Sequence, residues 1–385
     1  MRVLLTASRF PLPPWRGNQA RTLEWLNALS GDGHQVLLLC PRPDRRGALH
    51  EITVEVRHYQ PSVGSGVARA LAGRRPIQEG LYEGAGARRV VADAVREWNP
   101  DLAVVQMVRC GWAADVVTSS APSPPVLFDA IDAMGLHFER ASSSMPWPLR
   151  AVYRIEAARC RRRERFLVEG ARITAAVAGR DLDALGVPHR RGRVIPVAGR
   201  EPASVADLDG GPTVLLSGNL GYRPTVRGAL WFARRVWPEL LRRVPGARWV
   251  LAGARPAGAV RRLAEMPGVE VHADVADLAP FLLAARVAIA PMSSGSGVPM
   301  KVLEAMAAGV PVVADPWAAA GLEEPAAVAA AERPEEWVDE LALLLEKRDA
   351  ARLAAQRGHD LWRRIYHPER VAESICSAIR DASDN

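Results

Sequence analysis

Short apolar runs alternate with longer segments of helical period along most of the chain, and the spacing predicts repeated strand–helix units rather than hairpins or bundles. The first set of predicted strands comprises Arg2–Ser8 (RVLLTAS), His34–Cys40 (HQVLLLC), ITVEV beginning at Ile52, Asp101–Met107 (DLAVVQM), PVLFDAID and ITAAVA. Between the first two, residues 19–30 read as a helix with Leu23, Leu26 and Leu29 on or near one face. A second set comprises Thr213–Gly218, Arg248–Gly253, VEVHA, Arg286–Pro291 and Val310–Asp315, with helices predicted over 225–244 and 299–308. The stretch between the sets, GREPASVADLDGGPT, lacks periodicity and is rich in Gly, Pro and Ala, as a linker is. The segment from Pro334 to Ile379 is helical in pattern and reads as surface packing.

Near-continuous apolar strands joined by helices belong to parallel sheets covered on both faces, so the expected fold is α/β with two doubly wound Rossmann-like domains facing across a cleft. The expected boundaries are 1–200, 201–365, and a C-terminal helix over 366–385 that packs back toward the first domain. Ligands of such sheets bind beyond the carboxyl ends of the strands.

Composition adds little to that picture. Of 385 residues, 49% are hydrophobic and 24% charged, an ordinary globular balance. The four cysteines, at 40, 110, 160 and 376, form no C-x-x-C pair, and no H-x-x-x-H metal motif occurs. The chain starts without a signal-peptide pattern and holds no apolar run of spanning length, from which a cytoplasmic location is expected. The net charge of +7 is carried mostly by arginine. Its densest run, Arg159–Arg165, lies in a predicted helix without interleaved aromatics, which argues against nucleic-acid binding. Helix-face ion pairs are expected there from Arg154, Glu156 and Glu164.

The most informative stretch is SSGSGVPMKVLEAMAAGVPVVAD, residues 293–315. A small-residue loop after a strand leads into a helix, where free backbone amides and partial positive charge favour phosphate. Glu304, about one turn along, is placed for a carboxylate to accept from two ribose hydroxyls. This stretch resembles the donor-binding signature of retaining GT-B glycosyltransferases of family four, glycosyl transferases group 1. The resemblance implies that Glu304 holds the ribose of a nucleotide diphosphate sugar and that the amides around Gly297 and Val298 meet its diphosphate and sugar. Ser296 stands where many members carry a second, sugar-binding glutamate. Residues 215–240 resemble the family's strand, glycine loop and helix, with Thr225 where Asn is common. There Gly218, Asn219 and Gly221 would line the cleft, Arg223 or Arg227 would neutralise the diphosphate, and Lys301 is the competing cation. Asp277, opening the helix before Arg286–Pro291, reads as an N-cap.

In the first domain Gly17, before a helix, is expected to meet the donor, and Asn18 and Arg21 the acceptor. Leu127–Ser144 resembles a branch of the family that ends a strand with acidic residues. It offers Asp129 to the acceptor and Asp132 and His137 to catalysis.

The resemblance implies transfer of a sugar, with retention, from a donor expected to be UDP-linked to a small-molecule or lipid-linked acceptor, in natural-product or cell-surface glycan synthesis. No cofactor or metal is expected, and the segment SSSMPWPLRAVYR reads equally as meeting a membrane-held lipid acceptor or as framing a small antibiotic-like aglycone. The alternatives are a nucleotide-sugar epimerase and a nucleotide-sugar-binding protein without catalysis.

Overall fold

The computed structural model describes residues 1–13, 17–43, 52–84, 86–143, 145–292 and 298–384, with the side chains of Val63, Ser65, Arg69 and Leu71 outside the description. The chain forms two compact units, Met1–Val197 with Val371–Asn385, and Ala198–Arg370.

The first unit contains a parallel sheet of β1 (Arg2–Thr6), β2 (Gln35–Pro41), β3 (Glu55–Tyr59), β4 (Leu102–Gln106), β5 (Val126–Ile131), β6 (Ile173–Ala176) and β7 (Gly192–Val194) in the order β3-β2-β1-β4-β5-β6-β7. Every residue of β4, β5 and β6 is buried, as expected where helices cover both faces. The predicted strand at Ile52 begins three residues late, at Glu55. Its far end is fixed by Tyr59, whose hydroxyl donates to the Ala7 carbonyl at 2.8 Å and whose ring packs edge-on against Trp112. The first helix, Gly17–Gly31, buries Thr22, Trp25, Leu26 and Leu29, with Leu23 only half-buried at the margin of that face.

The second unit repeats the plan with β8 (Thr213–Asn219), β9 (Arg248–Ala254), β10 (Val269–Ala273), β11 (Val287–Ala290), β12 (Val312–Ala314) and β13 (Ala329–Ala330), ordered β10-β9-β8-β11-β12-β13. The two-residue β13 is too short for a periodic signal and escapes the sequence pattern. One predicted helix over 225–244 is two, Arg223–Arg235 and Trp237–Arg243, because Pro238 near the start of the second lacks the N–H that would continue the first. The expected surface helices near the C-terminus contribute to the core instead: Trp337, Leu341 and Leu345 pack with Phe232, Trp237 and Trp249. The linker is also tied down, since Leu208 is buried in that core and the Ala206 amide donates to Ala308. From Val371 on, the last helix, Pro368–Ser383, belongs to the first unit, where Asp381 pairs with Arg193 at 2.7 Å.

In both sheets the strand order reverses beside the first strand, between β1 and β4 and between β8 and β11. Connections leave these neighbouring strands toward opposite faces, which opens a crevice at their carboxyl ends.

Candidate donor site at a strand crossover

Glycine shapes the crevice in the second unit. Gly253, at φ 155°, lies so near Gly218 that a Cβ on it would fall 1.8 Å from the Gly218 carbonyl oxygen, and Gly218 itself holds φ 105°. A Cβ at Gly221 would meet the Arg255 carbonyl at 2.4 Å, and one at Gly228 the Pro291 carbonyl at 1.9 Å. The Arg223–Arg235 helix therefore sits directly on the backbone leaving β11. The Asn219 side chain accepts from the Gly221 amide at 3.0 Å, closing the turn between β8 and that helix. Gly253→Ala is expected to destabilise the second unit by about 2–3 kcal/mol, because strain and a backbone clash coincide there. Calorimetric melting measures this; an unchanged transition would show that the strand ends separate freely.

Lys301 reaches into this crevice from the Met300–Ala307 helix. Its Nζ donates to Thr225 Oγ1 at 3.3 Å and to the Met292 sulfur at 3.1 Å, and it lies beside Gly218. Both partners are neutral, and among the described residues no carboxylate lies within ion-pair distance. Burial pushes the ammonium down to about 8, with Glu304 opposing the shift. Half-buried Glu304, three residues on, is raised above the usual carboxylate range by burial, against the pull of Lys301 and Arg200. Here a cation without a matched anion and a partly desolvated carboxylate stand one turn apart.

The other expected donor residues are placed unevenly. Gly218 and Asn219 end β8, and Val298 lies just before the Met300–Ala307 helix. Arg223 and Arg227 are exposed at the start of their helix. Ser296 and Gly297 lie outside the described residues. The Asp277 carboxylate accepts from the Ala279 amide at 3.1 Å, while the N-cap of the helix Ala279–Leu283 is the next residue, Leu278. Sequence reasoning gave Thr225 no task and passed over Met292, Gly228 and Gly253. Only Gly253, ending a strand, carried a local signal.

In the first unit, Arg21 and Asp129 are 0% exposed and form a two-pronged ion pair, with Arg21 Nε and Nη2 each 3.2 Å from a different carboxylate oxygen. Arg21 Nη1 also donates to the Pro196 carbonyl at 2.7 Å, and Gln106 donates to Asp129 at 3.1 Å. The expectation that Arg21 and Asp129 bind acceptor is corrected: neither offers surface, and together they brace the Gly17–Gly31 helix, β4, β5 and the segment leaving β7. Asn18 is half-buried and donates to Ser8 at 3.2 Å. Gly17 is exposed and opens its helix into free space.

His137 and Asp132 are half-buried where β5 passes into the Met134–Ser143 helix. Burial, aided by the Arg109 cation, lowers His137 below the usual histidine range and favours neutral imidazole at neutral pH. Glu164 accepts from the Met134 amide at 2.7 Å and the Gly135 amide, while Asp181 accepts from Ala133 at 3.2 Å. Burial raises these carboxyls to about 7 and about 6 respectively. The expected ion pairs of Glu156 and Glu164 along their helix are corrected accordingly: Glu164 caps another helix, and Glu156 accepts from the Gln78 amide at 3.3 Å. The backbone is strained beside this site, with Met107 at φ 63° and ψ 155° and β-branched Ile131 at φ 62°. Such conformations cost about 1–3 kcal/mol each and gather where function requires them. Among the described residues no three His, Cys, Asp or Glu side chains gather as metal ligands.

Two doubly wound parallel domains are the architecture of the GT-B fold. Residues 211–347 match the family described as Glycosyl transferases group 1, so the second unit is a group 1 domain and the chain is a glycosyltransferase of the GT-B fold. Similar solved structures include a glycosyltransferase from Rickettsia africae ESF-5 (TM-score 0.69, 12% identity, covering 100% of this chain and 99% of that one). Sucrose-phosphate synthase from Thermosynechococcus elongatus is similar at TM-score 0.67 and 15% identity, covering 99% and 98%. Anabaena Alr3699/HepE, in complex with UDP, has TM-score 0.63 and 14% identity, covering 98% and 99%. No curated protein matches the sequence.

Proposed function

We propose that the protein transfers a sugar from a UDP-linked donor to an acceptor hydroxyl with retention of configuration, and that the β8–β11 crevice holds the donor. The observation that carries this reading is Lys301, a desolvated cation hydrogen-bonded, among the described residues, to a hydroxyl and a thioether, next to a glycine turn and one helical turn from Glu304. A diphosphate supplies the anion that Lys301 lacks. The ribose hydroxyls satisfy Glu304, while the amides near Gly218 and Val298 accommodate phosphate and sugar oxygens. That HepE is seen with UDP supports uracil as the base.

The leaving diphosphate gains negative charge as the glycosidic bond breaks. A fixed cation in a partly desolvated crevice stabilises that charge without reorganising first. Exposed Arg223 adds a second cation from the glycine turn, and this reading requires no divalent metal or other cofactor. By the resemblance, Ser296 puts a hydroxyl where many family members carry a sugar-binding carboxylate. In the first unit, neutral His137 accepts a hydrogen bond from the acceptor hydroxyl and Asp132 orients it, with Gly17 and Asn18 lining the approach. The acceptor is a small-molecule or lipid-linked alcohol of natural-product or cell-surface glycan synthesis.

Thermal melting with UDP, GDP, dTDP and their sugars tests the reading. At a hundredfold excess over Kd the matching nucleotide stabilises by about 2.7 kcal/mol. The resulting rise in Tm is expected with UDP and should shrink sharply in Glu304→Ala. Absence of a shift with any nucleotide would overturn the proposal. A shift with catalysed isomerisation of the sugar, and no transfer, would favour an epimerase.

A further inference from the structure

The helix Leu149–Gly170 carries a surface that sugar transfer does not use. Of the ten large hydrophobic side chains exposed among the described residues, five lie within twenty positions here: Trp147 at 83%, Leu149, Val152, Ile155 at 54% and Phe166 at 57%. Val152, Ile155, Arg159, Arg162 and Phe166 recur at spacings of three, four, three and four residues, which places them in one stripe along the helix. Two of its three acidic residues, Glu156 and Glu164, point inward, as does Arg163, which pairs with Glu79 and Asp115. Outward, the second half of the helix borders a groove of about 1010 Å³ lined by seven arginines, with Asp115 and Glu169 as its acidic members. Four of these arginines, at 74, 159, 162 and 165, have no acidic partner among the described residues.

We propose that this face docks the protein on an anionic lipid bilayer, with Trp147, Val152, Ile155 and Phe166 entering the headgroup boundary and the groove arginines taking lipid phosphates. Charge and apolarity together select the occupant. A soluble phosphate would use the arginines and leave the apolar stripe wet, whereas a bilayer surface buries apolar side chains at its headgroup boundary and attracts basic ones to its anionic lipids. Indole favours the membrane–water interface, and arginines within a Debye length are drawn to anionic headgroups. Among the described residues no helix is long and apolar enough to cross a membrane, so the contact is peripheral. Docking stands without the donor-site reading; if that reading holds, docking brings a lipid-linked acceptor hydroxyl to the enzyme.

The test is cosedimentation of the full chain with vesicles of phosphatidylcholine alone or mixed with phosphatidylglycerol. Binding is expected only to the mixed vesicles, with release in 1 M salt, where the Debye length is about 3 Å. The double variant Arg159→Glu/Arg162→Glu should partition at least roughly twentyfold more weakly, from about one charge–surface interaction lost per arginine. These sites are solvent-facing, so its melting temperature should stay unchanged. Vesicles should shift tryptophan emission to the blue in the wild type and much less in Trp147→Phe, a readout that leaves the charged face intact. Glu304→Ala should bind vesicles normally, which separates failure here from failure of the donor site. Equal binding to neutral vesicles, no binding to either, or indifference to charge reversal would overturn the proposal. So would a dimer broken by Ile155→Ser/Phe166→Ser in a protein that ignores vesicles, because the stripe would then join two copies.

Discussion

Lys301→Met is expected to melt a few degrees higher than the wild type at pH 7 while losing at least tenfold in affinity for UDP. The lysine is charged in the unfolded chain below about pH 10.4. In the folded chain burial brings it down to about 8, so below pH 8 both states carry the proton and the fold bears the whole cost of a desolvated ammonium. Between pH 8 and about 10.4 the folded state releases the proton first, and stability rises with pH. A methionine fills the same space without charge, and the gain at pH 7 should be about 1–2 kcal/mol after allowance for partial solvation. The same charge is what a diphosphate would use, and a hydrogen bond to a charged group contributes about 1.5–3 kcal/mol. UDP affinity in the wild type should accordingly hold steady below pH 8 and weaken above it. Melting curves of the free variant and calorimetric titration with UDP check both halves. A variant that melts lower and still binds UDP would remove Lys301 from the site.

Asp129→Ala should destabilise the first unit by about 2–4 kcal/mol, because it removes the two-pronged partner of Arg21, which has no exposed surface, and leaves only the Glu24 carboxylate at 3.8 Å to face its charge. Pro196 supplies a carbonyl to Arg21, and no charge. For a unit of this size the loss corresponds to a fall in melting temperature of roughly 10 °C. The double variant Arg21→Met/Asp129→Leu should recover much of the loss, since a buried pair replaced by apolar side chains is often close to neutral. With two units in the chain, the calorimetric transition of the first unit is the measure. A single variant losing less than about 1 kcal/mol would contradict the account, with Glu24 or water compensating Arg21 instead.

How much of this was legible in the sequence follows from the range of the interactions. The sheets declare themselves in runs such as Val36–Cys40 and Val214–Leu216, whose apolar continuity needs no partner to be read. Gly218 and Glu304 are legible for a similar reason, because a glycine after a strand and a carboxylate one turn into a helix are local patterns. The contact between Lys301 and Thr225 joins positions 76 residues apart, and neither residue type specifies the other. Arg21 and Asp129, 108 positions apart, looked like ligand contacts because one follows a glycine-bearing loop at a helix start and the other ends a predicted strand. Only the tertiary structure shows that they point at each other. The break before Trp237 and the late start of β3 were misread because periodicity outruns a proline in one case and a tyrosine anchor in the other.

A crystal structure of the protein with UDP tests the central claim most directly. The account predicts diphosphate density against Lys301 and the Gly218–Gly221 turn, with both ribose hydroxyls on Glu304. Density at another site, or a ribose turned away from Glu304 with Lys301 still bonded to Thr225 and Met292, would contradict it.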